Sequence, residues 1–261
     1  MIVSFKSIPQ RSLLVIILIS VIAFGSVKAQ VTEVAYMKVK ESEDEYLKVE
    51  KEWKKVHKKL LDSEKIYAWY LIRKHYHGTE DPYDYITVTV YPNMGSILSQ
   101  YPDNLFDGLD QAIIDKTDLS RDLVKTELYD TPLILEVTDL PQFLNMDFMK
   151  VEQGNDDAYL NAENDLWKPI NAELKKTGIL SSWSVYRQLY PGAYGGEYNY
   201  VTVNGFADLK KVTFEPDQGW EAIFKKVHPG MNFEDAMART LDSRRMVKAE
   251  LWEIIDKVTP Q

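Results

Sequence analysis

The chain has 261 residues, no cysteine, 45% hydrophobic residues and a formal net charge of −9. This composition is typical of a globular protein and excludes a disordered or fibrous chain. The missing cysteines exclude disulfides, a thiolate nucleophile and a cysteine metal site. The negative charge argues against nucleic acid as a partner.

Residues 1–29 have the pattern of a secretory signal peptide. Lys6 and Arg11 precede an apolar run over 13–24, and the segment ends at Ala29 with small residues at the −1 and −3 positions. The apolar run is shorter than the roughly 20 residues that a transmembrane helix needs. We therefore expect an exported protein, periplasmic or secreted, that is cleaved after Ala29 and has no membrane span. Cleavage removes three basic residues and no acids, so the mature charge is −12.

The mature sequence contains one unit twice, and this duplication is its strongest signal. The repeated positions are Met37, Tyr46, Glu50, Trp53, Trp69, Arg73, Tyr85 and Arg121 in the first copy and Met149, Tyr159, Glu163, Trp167, Trp183, Arg187, Tyr200 and Arg244 in the second. We predict a first α+β repeat over 30–130, a linker over 131–145 and a second α+β repeat over 146–261.

Each copy is predicted to form the elements βαββαβ, in which both helices cover one face of an antiparallel sheet. In the first helix, apolar residues recur at spacings of three and four from Tyr46 to Leu60. The predicted elements of the first copy are strands over Val34–Val39, Ile66–His75, Tyr85–Tyr91 and Leu123–Tyr129, and helices over Asp44–Leu61 and, more weakly, Asn104–Ile114. In the second copy, glycines over 192–196 mark the hairpin loop, a break over 228–230 interrupts the second helical stretch, and Asn232 can restart it.

Alternation along the strands sorts their side chains into two faces. One face is mostly aliphatic, from Ile66 and Ala68 onward, and we expect it to pack on the helices. The other face combines aromatic and charged residues, and we expect it to meet the partner sheet. The candidate ligand-binding residues on this second face are Lys38, Trp69, Arg73, Tyr85, Lys125 and Glu127 in the first copy, and Lys150, Trp183, Arg187, Tyr200, Lys248 and Glu250 in the second.

Two such faces in contact would enclose an interior with aromatic walls and a few fixed charges, which suits a small organic molecule. The ligand predicted on this basis is a small, partly apolar molecule. If it is anionic, Arg73, Lys125, Arg187 and Lys248 are expected to hold it between the sheets. The alternative is a filled barrel in which Arg73 pairs with Glu127 and Arg187 pairs with Glu250. In that case the protein is a non-catalytic exported structural or interaction module.

The repeated unit, with Tyr46 and Glu50 on its first helix and Trp69 and Tyr85 on adjacent strands, resembles the dimeric α+β barrel superfamily. The resemblance implies two tandem ferredoxin-like units packed sheet to sheet as a pseudo-dimeric barrel. The superfamily includes cofactor-free monooxygenases, haem-degrading and haem-binding proteins and isomerase-like enzymes. The resemblance transfers no catalytic residue, because the shared motifs are generic and fold alone does not give function.

Several single residues carry a chemical and a structural interpretation. Glu50 and Glu163 lie beside the apolar stripe of the first helix, where a carboxylate acts as an acid or base or belongs to a structural network. His75 and His77 form a pair, but a metal site usually needs three or four ligands, so we assign no metal and no cofactor. The loop over 192–196 is expected to be a flexible hairpin tip; the alternative is a lid that it forms over a barrel mouth together with Tyr190, Tyr194 and Tyr198.

Overall fold

The computed structural model describes residues 30–137, 139–192, 194–216 and 219–260. The predicted signal peptide, 1–29, lies outside the described residues. Within the described ranges, no helix is long and apolar enough to cross a membrane.

The strands of the described residues are β1 (Val31–Val39), β2 (Ala68–Lys74), β3 (Tyr85–Tyr91), β4 (Arg121–Ile134), β5 (Phe143–Lys150), β6 (Ser182–Tyr190), β7 (Tyr200–Phe206) and β8 (Arg245–Val258). The helices are α1 (Glu43–Asp62), α2 (Met94–Ile97), α3 (Gln111–Ile114), α4 (Thr117–Ser120), α5 (Asp156–Ala162), α6 (Lys168–Lys176), α7 (Trp220–Val227) and α8 (Phe233–Ser243). A π-helical turn, Glu163–Trp167, joins α5 to α6, and a 3-10 turn spans Leu209–Lys211.

The strands form a closed antiparallel barrel in the order β1-β3-β2-β8-β5-β7-β6-β4. The first copy supplies the order β4-β1-β3-β2 and the second copy supplies the equivalent order β8-β5-β7-β6. The two copies join along two seams, where β2 pairs with β8 and β4 pairs with β6. Barrel closure leaves no unpaired sheet edge. The predicted pseudo-dimeric α+β barrel of two ferredoxin-like units is confirmed.

Helix α1 follows the predicted periodicity. Tyr46, Val49, Val56 and Leu60 are buried on its inner face, and three acidic residues occupy its first turn, where they complement the helix dipole. Its observed bounds lie within one residue of the predicted ones. The helix packs its apolar stripe on the outer face of the sheet, so α1 does not line the barrel interior.

The second copy has a π-helical turn where the first copy has a regular helix. Glu50 and Glu163 are 113 positions apart, whereas Trp53 and Trp167 are 114 apart. The second copy therefore has one extra residue between these positions, and the π turn, Glu163–Trp167, holds it. This turn lets both tryptophans reach the same environment: each indole nitrogen donates to a threonine hydroxyl at 3.1 Å.

The weak helix predicted over Asn104–Ile114 is wrong. Only the four residues of α3 are helical within it, and α3 begins at a cap where the Asp110 side chain accepts from the amide of Ala112. Gly108 has a positive φ of 71°, which a continuous right-handed helix does not allow.

The predicted linker, 131–145, overlaps a strand at each of its ends. β4 runs on to Ile134 and β5 already begins at Phe143. Pro132 does not end β4, because the pairing of β4 with β6 shifts register between Asp130 and Leu133 and needs no amide donor there.

In each copy, a buried ion pair joins the first helical segment to the start of the last strand. The arginine is the first residue of β4 in the first copy and the residue before β8 in the second. Glu50 is 2% exposed and lies 2.8 Å from Arg121, and Glu163 is paired with Arg244 in the same way. Burial raises the pKa of Glu50 and of Glu163 to about 7, against the opposing effect of each arginine. These glutamates support the structural interpretation, since neither reaches the barrel interior.

We predict that the double substitution Glu50→Gln with Glu163→Gln flattens the pH dependence of stability. A carboxyl whose folded pKa is raised binds its proton more tightly in the folded state, so the free energy of unfolding falls as pH rises from about 4.5 to 7. Each group accounts for about 3 kcal/mol of that fall. Chemical denaturation at pH 5 and pH 8 measures it, with exposed Glu41→Gln as the control. Equal pH slopes in wild type and double variant would contradict the account.

Candidate functional site

On β2, β3, β6 and β7 the orientation of the two faces is the reverse of the prediction: the aromatic face packs on the helices and the aliphatic face points into the barrel. Trp69 and Tyr85 lie beneath α1, where Trp69 stacks on His57 with ring centroids 4.8 Å apart and Tyr85 packs on Tyr46. Their counterparts, Trp183 and Tyr200, pack beneath the helices of the second copy. The aliphatic face instead lines the barrel. Alternation separates two faces but does not say which one the helices cover, and the wide aromatic rings fill the deeper space under a helix.

Arg73 and Arg187 also lie outside the barrel, and their predicted partners are wrong. Arg73 pairs with Glu253 at 2.7 Å, and the guanidinium of Arg187 forms two bonds to Asp130. Each bond crosses a seam between the copies, and the two acids occupy equivalent positions of β4 and β8. The arginines therefore join the two halves of the barrel rather than an interior anion.

The other predicted charges come together inside one end of the barrel. Lys125 Nζ donates to the Tyr198 hydroxyl at 2.8 Å, and that hydroxyl donates to Glu127 at 2.9 Å. The second copy repeats the arrangement with the residues Lys248, Tyr83 and Glu250, where the lysine–tyrosine bond is also 2.8 Å and the tyrosine–glutamate bond is 3.1 Å. In each cluster the tyrosine comes from the opposite copy. We call these two clusters together the polar plug.

Aromatic rings hold the polar plug in place. Lys125 Nζ lies 4.3 Å from the ring centre of Tyr36. In the second copy, Lys248 Nζ lies 4.5 Å from the ring centre of Phe148, which corresponds to Tyr36. Burial and the nearby glutamates raise the pKa of Tyr83 and Tyr198 far above 10, so both hydroxyls stay protonated and can donate. Every charge of the plug is thus bonded within the protein.

Above the plug the barrel encloses an apolar cavity of about 340 Å³. It opens at the end where β1, β2, β5 and β6 begin. Its walls are mainly aliphatic and aromatic; residues that represent them are Val34, Ile72, Ile86, Val88, Met146 and Val203. Among the described lining residues none is Asp, Glu, Lys, Arg or His. Tyr36 and Tyr129 line the cavity on the side of the polar plug: Lys125 lies over the Tyr36 ring, and the Tyr129 hydroxyl donates to Glu127 at 2.6 Å.

The segment between the two copies forms part of the mouth. Val137, Leu140 and Pro141 line the opening. Pro141 packs so closely on Gly205 that a Cβ there would lie 2.8 Å from its ring and 2.1 Å from the Ser182 hydroxyl. Only glycine fits this contact. The connection that fuses the two units therefore also shapes access to the cavity.

Tyr70 gives the cavity a free polar atom. Its ring lies in the barrel wall, and its hydroxyl has no hydrogen bond to any described residue. The counterpart in the second copy is Ser184, a much smaller side chain, so the cavity is asymmetric although the fold is two-fold symmetric. A ligand oxygen or nitrogen beside Tyr70 would find an available donor and acceptor.

The two remaining candidates, Lys38 and Lys150, bind hairpin loops at the plug end. Lys38 Nζ donates to the carbonyl of Asp81 at 2.8 Å, and Lys150 Nζ donates to the carbonyls of Tyr194 and Gly196. The glycine-containing hairpin loop is thus at the closed end of the barrel, so the predicted lid over the mouth is wrong.

The histidines and acids outside the barrel make structural contacts. His57 Nδ1 bonds the carbonyl of Trp53, and burial lowers the pKa of His57 to about 4. His75 and His77 each contact a single carboxylate, of Glu253 and Asp84. In the described ranges, no group of three or more such side chains is placed to hold a metal ion.

Sequence reasoning did not place Tyr83 or Tyr198 among the interior residues, although these two tyrosines complete the polar plug. Each lies two positions before a repeated tyrosine, and both are identical between the copies, so the repeat itself contained the signal. Their role was not apparent because they precede the strands rather than belong to them.

We predict that Tyr83→Phe and Tyr198→Phe each lower the free energy of unfolding by about 1–3 kcal/mol, because each removes a hydroxyl that joins a lysine to a glutamate in a buried cluster. The exposed Tyr190→Phe, which removes a hydroxyl without such bonds, is the matched control. Urea denaturation measures the difference. A loss in the plug variants no larger than in the control would show that the plug does not stabilise the barrel.

No protein-family model and no curated protein matches this chain. Solved structures do. A suspected monooxygenase from Lactobacillus acidophilus NCFM is 9% identical with a TM-score of 0.54, and the match covers 88% of this chain and 96% of that one. A suspected monooxygenase from Fusobacterium nucleatum subsp. nucleatum ATCC 25586 is 10% identical with a TM-score of 0.55, over 88% and 94% of the two chains.

A suspected chlorite dismutase is 12% identical with a TM-score of 0.50, over 87% of this chain and 95% of that one. At such identities the likeness shows the fold and not the activity. The match runs over nearly the whole described chain, and the barrel joins two ferredoxin-like units through their sheets. The chain therefore has the fold of the dimeric α+β barrel superfamily, with both units fused in one polypeptide.

Proposed function

We propose that this protein binds a small, uncharged and mainly apolar organic molecule in the barrel cavity. The observation that carries the proposal is the cavity itself, a space of about 340 Å³ with apolar walls and one open end. This volume lies in the range of small-molecule sites. It also favours a binding barrel over a filled barrel that acts only through its surface.

The lining favours an uncharged ligand over the anionic one expected from the sequence. An ion inside the cavity would lose its hydration without meeting an opposite charge, which costs several kcal/mol. The lysines of the polar plug offer no compensation, since Lys125 and Lys248 are already bonded to glutamates. A hydroxyl or carbonyl group on the ligand would instead find the free hydroxyl of Tyr70.

The expected affinity follows from the apolar area buried. A two-ring aromatic molecule that loses about 250 Å² of apolar surface to the cavity gains about 6 kcal/mol. Part of this gain offsets the loss of ligand freedom, so dissociation constants from tens of micromolar to millimolar are expected.

We predict that the neutral fluorophore N-phenyl-1-naphthylamine binds to the protein and that Val88→Trp weakens this binding at least about 10-fold, because the indole fills the cavity. Val124→Trp, which places the same ring on an exposed position of β4, is the matched control. Fluorescence titration measures both variants against wild type.

The anionic fluorophore 1-anilinonaphthalene-8-sulfonate, used in the same assay, tests whether the cavity excludes charged ligands. We expect any binding of this anion to be unaffected by Val88→Trp. Neutral-probe binding that survives Val88→Trp, or an anion that Val88→Trp displaces, would contradict the proposed function.

Export is the second part of the proposal, and it rests on the tripartite pattern of residues 1–29. Expressed at full length in a bacterial host, the protein is expected in the exported fraction with Gln30 as its first residue. N-terminal sequencing checks this, with a chain that begins at Gln30 as the control that stays inside the cell. Exported protein that still begins at Met1 would contradict cleavage.

A further inference from the structure

A second concave surface lies outside the barrel, on the flank of α1. It is a groove of about 570 Å³ between α1 and the β2–β8 seam. Leu47, Leu71 and Ile255 provide its apolar surface. Leu71 is only 3% exposed and belongs to the core beneath α1, so the floor of the groove is the core itself.

The rim of the groove is basic. Its charged lining residues are Lys51, Lys54, Lys55, Lys58, Arg73 and Asp256. Five cations and one acid in one groove contrast with a mature chain of net charge −12. Residues Leu47, Lys51, Lys54 and Lys58 follow each other at spacings of four, three and four, so they form one stripe along α1.

Not all of this positive charge is neutralised by neighbouring acids. Lys54 pairs with Asp256, Lys55 with Glu52, and Lys58 only at 3.6 Å with Asp62. No described residue forms an ion pair or hydrogen bond with the Lys51 ammonium group. The Nε atom of Arg73 is buried and has no partner, although the rest of its guanidinium bonds Glu253.

The second copy does not repeat the groove chemistry. The position of Lys51 corresponds to Asn164 or Asp165 at the π turn, and the positions of Lys55 and Lys58 correspond to Pro169 and Ala172. A solvated lysine face needed only for solubility would have no reason to gather on one copy over an apolar floor. The difference instead marks this groove as a specific site in the first half of the chain.

We propose that the groove binds a single-chain amphiphile with an anionic head. Its carboxylate or phosphate contacts Lys51 and Lys58, and its apolar chain lies on Leu47, Leu71 and Ile255. Lysine ammonium groups bond such oxygens through charge-assisted hydrogen bonds. Burial of the chain supplies the non-ionic part of the affinity. This site is separate from the barrel cavity, whose described lining residues carry no charge.

Isothermal titration calorimetry with three probes tests the proposal: octyl phosphate, octyl glucoside and inorganic phosphate. We expect octyl phosphate to bind at least about 10-fold more tightly than either of the others, because only it engages both floor and rim. Its affinity should also fall when salt rises from about 0.1 to 0.5 M, since exposed charges are screened. Equal binding of octyl glucoside or of inorganic phosphate would overturn the proposal.

The double variant Lys51→Gln with Lys58→Gln localises the site. We expect it to bind octyl phosphate about 10-fold more weakly, whereas Lys168→Gln with Lys176→Gln, the same charge change on α6, leaves binding unchanged. Circular dichroism verifies that both variants fold, and salt dependence of the wild type tests the ionic contact independently. Equal affinities in the two variants would overturn the proposal.

The barrel provides the remaining check. N-phenyl-1-naphthylamine should bind the Lys51→Gln and Lys58→Gln variant as it binds wild type, and octyl phosphate should not displace it. Displacement would place octyl phosphate in the barrel and overturn the groove proposal. Failure of the fluorophore to bind any variant would contradict the barrel function alone.

Discussion

The structure depends on the hydrogen bonds and ion pairs that neutralise the charges inside the barrel. Glu127 and Glu250 face inward, where an unpaired carboxylate would cost several kcal/mol. Each is bonded by a lysine of its own strand and by a tyrosine of the other copy. Two copies must therefore meet before either glutamate is satisfied. The same bonds seal one end of the barrel and leave the space above them apolar.

This constraint separates the chemistry of the two concave surfaces. Inside, the cations are bonded to glutamates, so under the proposed function the ligand is selected by its shape, its apolar area and the hydroxyl of Tyr70. Outside, the residues that line the groove beside α1 include four lysines and Arg73 against one acid, Asp256, above an apolar floor. Fusion of the two units into one chain permits this asymmetry, because each copy can diverge. Tyr70 of the first copy corresponds to Ser184 of the second, and Lys58 corresponds to Ala172.

The sequence supported the duplication, the fold, α1 and β3, because the hydrophobic period and the internal repeat are local or directly comparable signals. It did not orient the faces. Trp69 and Tyr85 alternate with Tyr70 and Ile86 whichever side the helices cover, and only the packing of Trp69 on His57 shows the answer. Ion-pair partners were equally inaccessible, since Arg73 meets Glu253 across a seam that joins residues 180 positions apart. The plug lysines and glutamates were found because they share β4 and β8.

The central claim is that the barrel cavity is a site for an uncharged ligand above a sealed polar plug. The most direct measurement is a crystal structure of the protein grown with 1-naphthol, a neutral two-ring molecule with one hydroxyl. The account predicts density for the rings between Val88 and Val203, with the naphthol oxygen within about 3 Å of the Tyr70 hydroxyl. A barrel whose side chains close the cavity, or naphthol bound only outside the barrel, would contradict it.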